Sequence, residues 1–280
     1  MRISEFLDDL TAQGQMCFTA KQANEALGVS EIAARAAIRR LKHKGEIAQP
    51  MQGFYVIVPP EYRILGCRPA EHFINELMEH INAPYYVGLL SAAQYHGAAH
   101  HRPQQYQVVT NQKRRPIICG RVKIVFITKK DIKDVPIQKY NAPQSIILIS
   151  TPESTAMDLI LYANRCAGMD NVLTVLNDLK EKVDPNKLKE LSLKSNETPW
   201  IQRLGYLLDL LDDKTLSDTL INAIKNRSIH QRALVHTRSK KRISKLDKKI
   251  GSVITENNKL RASKNKKWKL IVNKKLELDE

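Results

Sequence analysis

Little in this sequence is arranged for metal or disulfide chemistry. Its four cysteines, Cys17, Cys67, Cys119 and Cys166, are scattered through 280 residues with no Cys-x-x-Cys pair. That spacing excludes a thiolate zinc ribbon and fits free thiols in a reducing compartment. Glycine is limited to 11 residues, none of them in a Gly-rich phosphate loop, and no cofactor fingerprint or Ser/His/Asp set can be placed. No cofactor is therefore expected. No apolar run approaches the roughly 18 residues of a membrane span, so no membrane partner is expected either. The chain starts with an acidic amphipathic stretch, Ile3 to Leu10, instead of a charged-then-apolar signal, which predicts a cytoplasmic location. No internal repeat of roughly 20–50 residues is present.

Acidic residues are outnumbered, 29 against 45 basic ones, giving a formal charge of +16. The excess is uneven. Residues 225–280 hold 18 basic and 5 acidic residues, a net +13, which leaves +3 for the first 224. Such a polycation raises affinity for any polyanion without regard to sequence. The alternative is a solvated extension with no partner.

The first sixty residues carry the clearest punctuation. Thr19 and Gln22 have capping-box spacing, Ala23, Ala26 and Leu27 give an apolar face, and Gly28 stands where a left-handed cap is needed. After the turn Gly28-Val29-Ser30, Ser30 is an N-cap for a second helix to about Lys44. Ala34, Ala37, Ile38 and Leu41 fall on one stripe of it, and Glu31, Arg35, Arg39 and Lys42 on the other. Two β-type runs follow, Glu46–Ala48 and Phe54–Val58, with Gln49-Pro50-Met51-Gln52-Gly53 as the hairpin loop. Helix, short turn, basic helix and β-wing is the order of a winged helix-turn-helix, whose second helix enters the major groove. The predicted DNA contacts are Ser30, Glu31, Arg35, Arg39, Arg40 and Lys42 on the helix, and Gln49, Met51 and Gln52 at the wing tip. Guanidinium forks suit guanine edges and phosphates.

Pro59-Pro60 suggests a boundary. Beyond it the patterns predict a helix over 69–81, a short strand at 85–87 and a helix over 89–95. Further strands are predicted at 106–110, 122–129 and 146–150, and helices over 154–164, 172–182, 185–192 and 201–211. The expected class is α+β: a winged helix over 1–60, a larger domain over 61–224 with a small sheet packed by helices, and a basic extension over 225–280.

Enzymatic sites can be weighed against this pattern. His96 and His100 are an i, i+4 pair with His101 alongside, but Gly97 interrupts the turn and Arg102-Pro103 closes it, so no metal site is expected. Asp131 and Asp134 lie with Lys129, Lys130 and Lys133 in a polar stretch before Pro136. A nuclease would need such carboxylates on adjacent strands, so a surface loop is predicted.

The later part of the chain resembles a known family. Residues 85–97, Tyr-Tyr-Val-Gly-Leu-Leu-Ser-Ala-Ala-Gln-Tyr-His-Gly, resemble the opening signature of the AbiEi-type antitoxin domain. Residues 150–159, with Pro152-Glu153 and Asp158-Leu159, resemble its strand-to-helix segment. Residues 202–208, with Arg203-Leu204-Gly205-Tyr206, resemble its Arg-Leu-Gly-Tyr helix, and Trp268–Asn273 is similar to a terminal strand of many members. The resemblance implies a non-enzymatic antitoxin and transcriptional autorepressor of a type IV toxin–antitoxin pair, linked to phage abortive infection. Its implied partners are operator DNA with inverted repeats and a nucleotidyltransferase-like toxin, which need not be held in a stable complex. Candidate antitoxin positions are Tyr85, Tyr86, Glu153, Asp158, Arg203 and Tyr206. Arg203 also has a structural reading, a pair with Glu153 or Asp158. Gly205, which costs up to about 1 kcal/mol in a helix relative to Ala, points to close packing. The competing functions are a nucleic-acid-processing enzyme with an unrecognised site and a ligand-sensing winged-helix regulator.

Overall fold

The computed structural model describes residues 1–98, 104–142, 145–235 and 262–278, a mixed α+β chain. Its contacts separate two compact units. One holds residues 1–95 and the described part of 99–151; the other holds 96–98 and the described part of 152–280.

The first unit opens with α1 (Ile3–Ala12), β1 (Cys17–Thr19), α2 (Ala20–Leu27), α3 (Glu31–His43), β2 (Ile47–Met51) and β3 (Phe54–Ile57). The capping box forms as its spacing predicts: the Gln22 amide donates to Thr19 Oγ1 at 3.2 Å, and the Thr19 amide to Gln22 Oε1 at 2.7 Å. Gly28 ends α2 in the left-handed region, φ 61°, where a side chain would be strained. The three strands form one antiparallel sheet in the order β1-β3-β2. Phe6, Leu7 and Leu10 of α1 pack with Phe18, Ala23, Ile38, Leu41, Ile47 and Ile57. Phe18 is held edge-on by Phe6 at 5.4 Å and stacked on Tyr55 at 5.3 Å.

Two details differ from the sequence expectation. Strand β1 was not foreseen, because three residues are too few for a periodic signal. The hairpin loop is also shorter than the predicted 49–53: β2 runs on through Met51, with its register shifting between Ala48 and Met51. A bulge is where a strand tolerates Pro50, which has no amide hydrogen for the ladder. Gln49 and Met51 are consequently strand residues, and the turn is confined to Gln52-Gly53.

The unit continues with α4 (Ile74–Ile81), β4 (Tyr85–Val87), α5 (Leu89–Tyr95), β5 (Tyr106–Thr110), β6 (Ile117–Cys119), β7 (Val122–Thr128), β8 (Ile137–Ala142) and β9 (Ser145–Ser150). The predicted 69–81 helix is broken: a 3-10 turn, Ala70–His72, precedes α4, and Phe73 between them has φ −148°. Strands β4 to β9 make a six-stranded mixed sheet in the order β6-β7-β5-β4-β9-β8. Its edge strands are the two that sequence patterning missed. Every residue of β8 but the last is exposed, so no in–out alternation marks it.

The hairpin lends its second face to this sheet's core. Ala48, Phe54, Val56 and Val58 bury with Phe73, Ile74, Leu77, Met78, Val87, Val108, Ile147 and Ile149. The buried Arg68 adds a hydrogen bond from Nε to the Ile57 carbonyl at 2.8 Å. Pro59-Pro60 thus bends the chain without separating two cores, and the compact units part at Thr151–Pro152.

The second unit contains α6 (Pro152–Leu161), α7 (Met169–Leu179), α8 (Pro185–Lys194), α9 (Thr198–Leu210) and α10 (Lys214–Ile224). A small sheet completes it: β10 (Arg232–Ala233) parallel and β11 (Ser263–Asn265) antiparallel to the central β12 (Leu270–Val272). Trp268, just before β12, is fully buried. Its Nε1 donates to Asp209 Oδ2 at 2.6 Å, and its carbonyl accepts from Gln202 Nε2 at 2.8 Å. Gly205 explains itself here, since a Cβ on it would lie 2.1 Å from Trp268 Cη2. The close packing expected of Gly205 is the approach of this indole. Residues 262–278 are therefore part of the unit, while residues 236–261 of the predicted basic extension lie outside the described residues.

Candidate nucleic-acid interface

Among the described residues, helix α3 presents the strongest concentration of basic side chains on a regular element. Its inner stripe, Ala34, Ala37, Ile38 and Leu41, is buried. The other side carries Arg35, Arg39, Arg40, Lys42 and His43, all exposed. Ser30 Oγ accepts the Ala33 amide at 3.3 Å, a cap that typically stabilises a helix start by about 1 kcal/mol. Only two residues separate Gly28 from Glu31, so α2 and α3 are joined by one short turn.

Among the predicted contacts, Glu31 and Arg35 are already engaged with each other at 2.6 Å. Both are largely exposed, and an exposed i, i+4 pair is worth about 0.3–0.5 kcal/mol. A bidentate base contact is worth about 1–3 kcal/mol, so the pair would yield to a guanine edge while pre-ordering the guanidinium. Lys42 Nζ donates to Gln49 Oε1 at 2.9 Å, and Gln49 Nε2 reaches Tyr55 Oη at 3.4 Å. This chain ties α3 to the hairpin. Met51 is half-buried against the sheet core, and Gln52 is the exposed residue at the turn.

The six candidate antitoxin positions are divided between the two units. Tyr85 and Tyr86 belong to the first unit, where both are buried in β4. Tyr85 Oη donates to Asn75 Oδ1 at 3.1 Å, and burial pushes its phenol above the ordinary range. Both tyrosines line a cleft of about 440 Å³ with Asn75, Glu79, Lys133 and Leu148. The motif following them is structural: Gln107 Oε1 accepts the Leu90 amide at 2.9 Å, and Ser91 Oγ accepts the Gln107 amide at 2.9 Å.

The other four lie in the second unit. Glu153 is buried, and its Oε1 accepts the Asp184 amide at 2.9 Å, just ahead of α8. Asp158 is fully buried in α6. Arg203 is buried and grips the Ala233 carbonyl with Nε at 3.1 Å and Nη2 at 3.0 Å. Burial, and secondarily the charge of Arg232, lower its proton affinity. Tyr206 is half-buried on the flank of α9. Glu153 thus serves the backbone at Asp184, and Arg203 joins α9 to β10.

Among the described residues no group of three or more His, Cys, Asp or Glu is placed to hold a metal; His100 and His101 lie outside those residues. Asp131 and Asp134 are exposed in the irregular segment between β7 and β8. No helix among the described residues is long and apolar enough to cross a membrane.

One exposed apolar residue on this face of α3 escaped the sequence reading. Ile32 is 81% exposed on the first turn of α3, and Val29 in the preceding turn is 46% exposed. A signal was available, because Ile32 falls outside the apolar stripe and on the line through Arg35 and Arg39.

Comparison with known proteins matches two family profiles to successive parts of the chain. Residues 5–58 match a family profile described as a transcriptional regulator, AbiEi antitoxin. Residues 86–210 match a second, the AbiEi antitoxin C-terminal domain. No curated protein matches significantly. The crystal structure of the RV2827C protein from Mycobacterium tuberculosis is similar at 16% identity and a TM-score of 0.63, over 96% of this chain and 90% of that one; the likeness is one of fold. An antigenic nucleotidyltransferase-like protein from Paracoccidioides brasiliensis aligns at 11% identity over 56% of this chain and 86% of that one, with a TM-score of 0.31.

Proposed function

We propose, since this chain belongs to the AbiEi-type antitoxin family, that it is the antitoxin of a type IV toxin–antitoxin pair and represses its own operon. In this reading residues 1–60 are a winged helix-turn-helix. Helix α3 enters the major groove, Arg35 and Arg39 take base edges or phosphates, and the turn at Gln52 touches the flanking backbone. The observation that supports the DNA-binding part is the exposed basic face of α3, fixed at its start by the Ser30 cap and braced to the hairpin through Lys42 and Gln49. The partner DNA is the chain's own promoter, with inverted repeats. The toxin is nucleotidyltransferase-like and is countered by the later part of the chain without need of a stable complex. The protein works in the cytoplasm and catalyses no reaction.

The test uses Arg35→Ala and Arg39→Ala. Both side chains are exposed and outside either core, so folding is spared. Each substitution is expected to weaken promoter binding in gel shifts by about 1–3 kcal/mol. The double variant, expressed from an independent promoter, should still rescue growth from the toxin. Unchanged promoter affinity in both single variants would refute the groove assignment. Loss of rescue by a folded, normally accumulating double variant would show that neutralisation runs through DNA.

A further inference from the structure

We infer that Ile32 reads a thymine 5-methyl group in the operator, with Val29 widening the apolar contact. The inference rests on the DNA-binding reading of α3 and adds a specificity determinant to it. Ile32 is the second residue of α3 and is 81% exposed, while the four apolar residues of the buried stripe are each 8% exposed or less. A helix places residues three and seven apart on nearly the same line, so Ile32, Arg35 and Arg39 form one ridge opposite the packed stripe. Over seven residues that ridge advances about 10 Å, which matches about three stacked base pairs at about 3.4 Å each.

The surroundings define the partner. Arg35, Arg39, Arg40, Lys42 and His43 share the exposed side of the helix with a single acidic residue, Glu31, so the surroundings of Ile32 favour a partner that is polyanionic around an apolar spot. Duplex DNA meets that description: its major groove runs between phosphates, and its prominent apolar feature is the thymine methyl. Position agrees too. Residues at the start of a recognition helix are the ones that meet base edges, and side chains lean toward the helix N-terminus, which carries Ile32 beyond the first turn. Its β-branched side chain is already restricted to essentially one rotamer in a helix, so docking it costs little conformational freedom. Val29, one residue before the Ser30 cap and 46% exposed, extends the same apolar surface.

The test replaces every thymine in the promoter fragment by uracil, through amplification with dUTP, which removes the 5-methyl groups and keeps the pairing. Wild-type protein is expected to bind the uracil fragment about fourfold more weakly for each methyl read, the equivalent of burying one methyl-sized group. Ile32→Ala should bind the thymine fragment with a similar loss and bind both fragments almost equally. Equal binding of the two fragments by wild type overturns the inference. So does an undiminished thymine preference in Ile32→Ala, since another residue would then read the methyl. A change in the solution mass of Ile32→Ala without DNA, by light scattering, also overturns it, because the patch would then be a contact between copies of the chain. No binding of the thymine fragment by wild type is a different failure, that of the DNA-binding reading itself.

Discussion

Replacing Gly205 by alanine should destabilise the second unit, although the same change in an open helix stabilises it. Alanine gains about 1 kcal/mol over glycine in a helix interior. Against that gain stands the indole of Trp268: the added Cβ would lie 2.1 Å from Cη2, 2.3 Å from Cζ2 and 2.5 Å from Cζ3. The ring has no easy retreat. It is fully buried, its Nε1 is bound to Asp209 at 2.6 Å, and its backbone carbonyl is held by Gln202 at 2.8 Å. Overpacking a fixed core typically costs about 1–3 kcal/mol. If the indole is expelled instead, the loss approaches the about 3–5 kcal/mol of a Trp→Ala change. The net expectation is a loss of up to about 2 kcal/mol with the ring retained, and more with it expelled. The assay is urea unfolding followed by tryptophan fluorescence, which reports this unit selectively because Trp200 and Trp268 are the only tryptophans. A double-mutant cycle with Trp268→Leu supplies the control: once the indole is gone, Gly205→Ala should become neutral or stabilising. A Gly205→Ala protein at least as stable as wild type, with unchanged fluorescence, would refute the packing argument.

Two further outcomes follow from the same unit. Burial alone would raise the Asp209 carboxyl, but hydrogen bonds from Lys267, Ser217 and Trp268 outweigh it and hold the group below the usual carboxylate range. A depressed folded value means the contribution is complete above the unfolded value of about 3.9 and is lost as pH falls through the folded one, so acid should loosen this unit below about pH 4. Asp209→Asn should flatten that part of a fluorescence-detected pH titration, and an unchanged acid limb would remove Asp209 as its source. Arg203→Ala strips both donors from the Ala233 carbonyl and should cost about 1–3 kcal/mol, whereas Arg203→Lys keeps a cation but not the two-pronged grip. If rescue from the toxin follows melting temperature across these variants, Arg203 acts as a brace; loss of rescue at unchanged stability would make it a contact residue.

Local chemistry explains what could be read from the chain alone. The cap at Thr19, the left-handed Gly28, the cap at Ser30 and the stripe on α3 are all decided within a few residues, and each forms as its spacing predicts. Gly205 was legible as a place of close approach because a helical glycine needs a reason. Its partner, Trp268, is 63 positions away, and no local pattern points to it. The strands that went unseen are short or at an edge: β1, β6 and β11 have three residues each, β10 has two, and β8 is exposed nearly throughout. Burial alternation or a short apolar run is the main trace of a strand in a sequence, and an edge strand with both faces in water leaves neither. The two parts of the candidate site were unequally visible for the same reason. The α3 face is a property of one helix, but the roles of Glu153 and Arg203 depend on backbone groups at Asp184 and Ala233, some thirty residues away.

The shared core changes how the proposed repression and neutralisation can be separated. A cut at Pro59-Pro60 would look natural from the sequence, yet it would expose Phe54, Val56 and Val58 on one side and Phe73, Leu77 and Met78 on the other. Burying a large apolar side chain is worth about 1.5–3 kcal/mol, so losing even a few of these contacts rivals the whole stability of an ordinary domain. A cut after residue 224 is no safer, since it removes Trp268 from Gly205, and with it the donors that Asp209 accepts from Lys267 and Trp268. Either deletion would report unfolding, whatever function it was meant to isolate. Exposed side chains are the separable level of this molecule. Arg35, Arg39 and Ile32 can be changed without touching either core cluster of the first unit. Tyr206, half-buried on the flank of α9, is the corresponding position in the second unit, where a loss of rescue with full promoter binding would mark a surface that acts on the toxin.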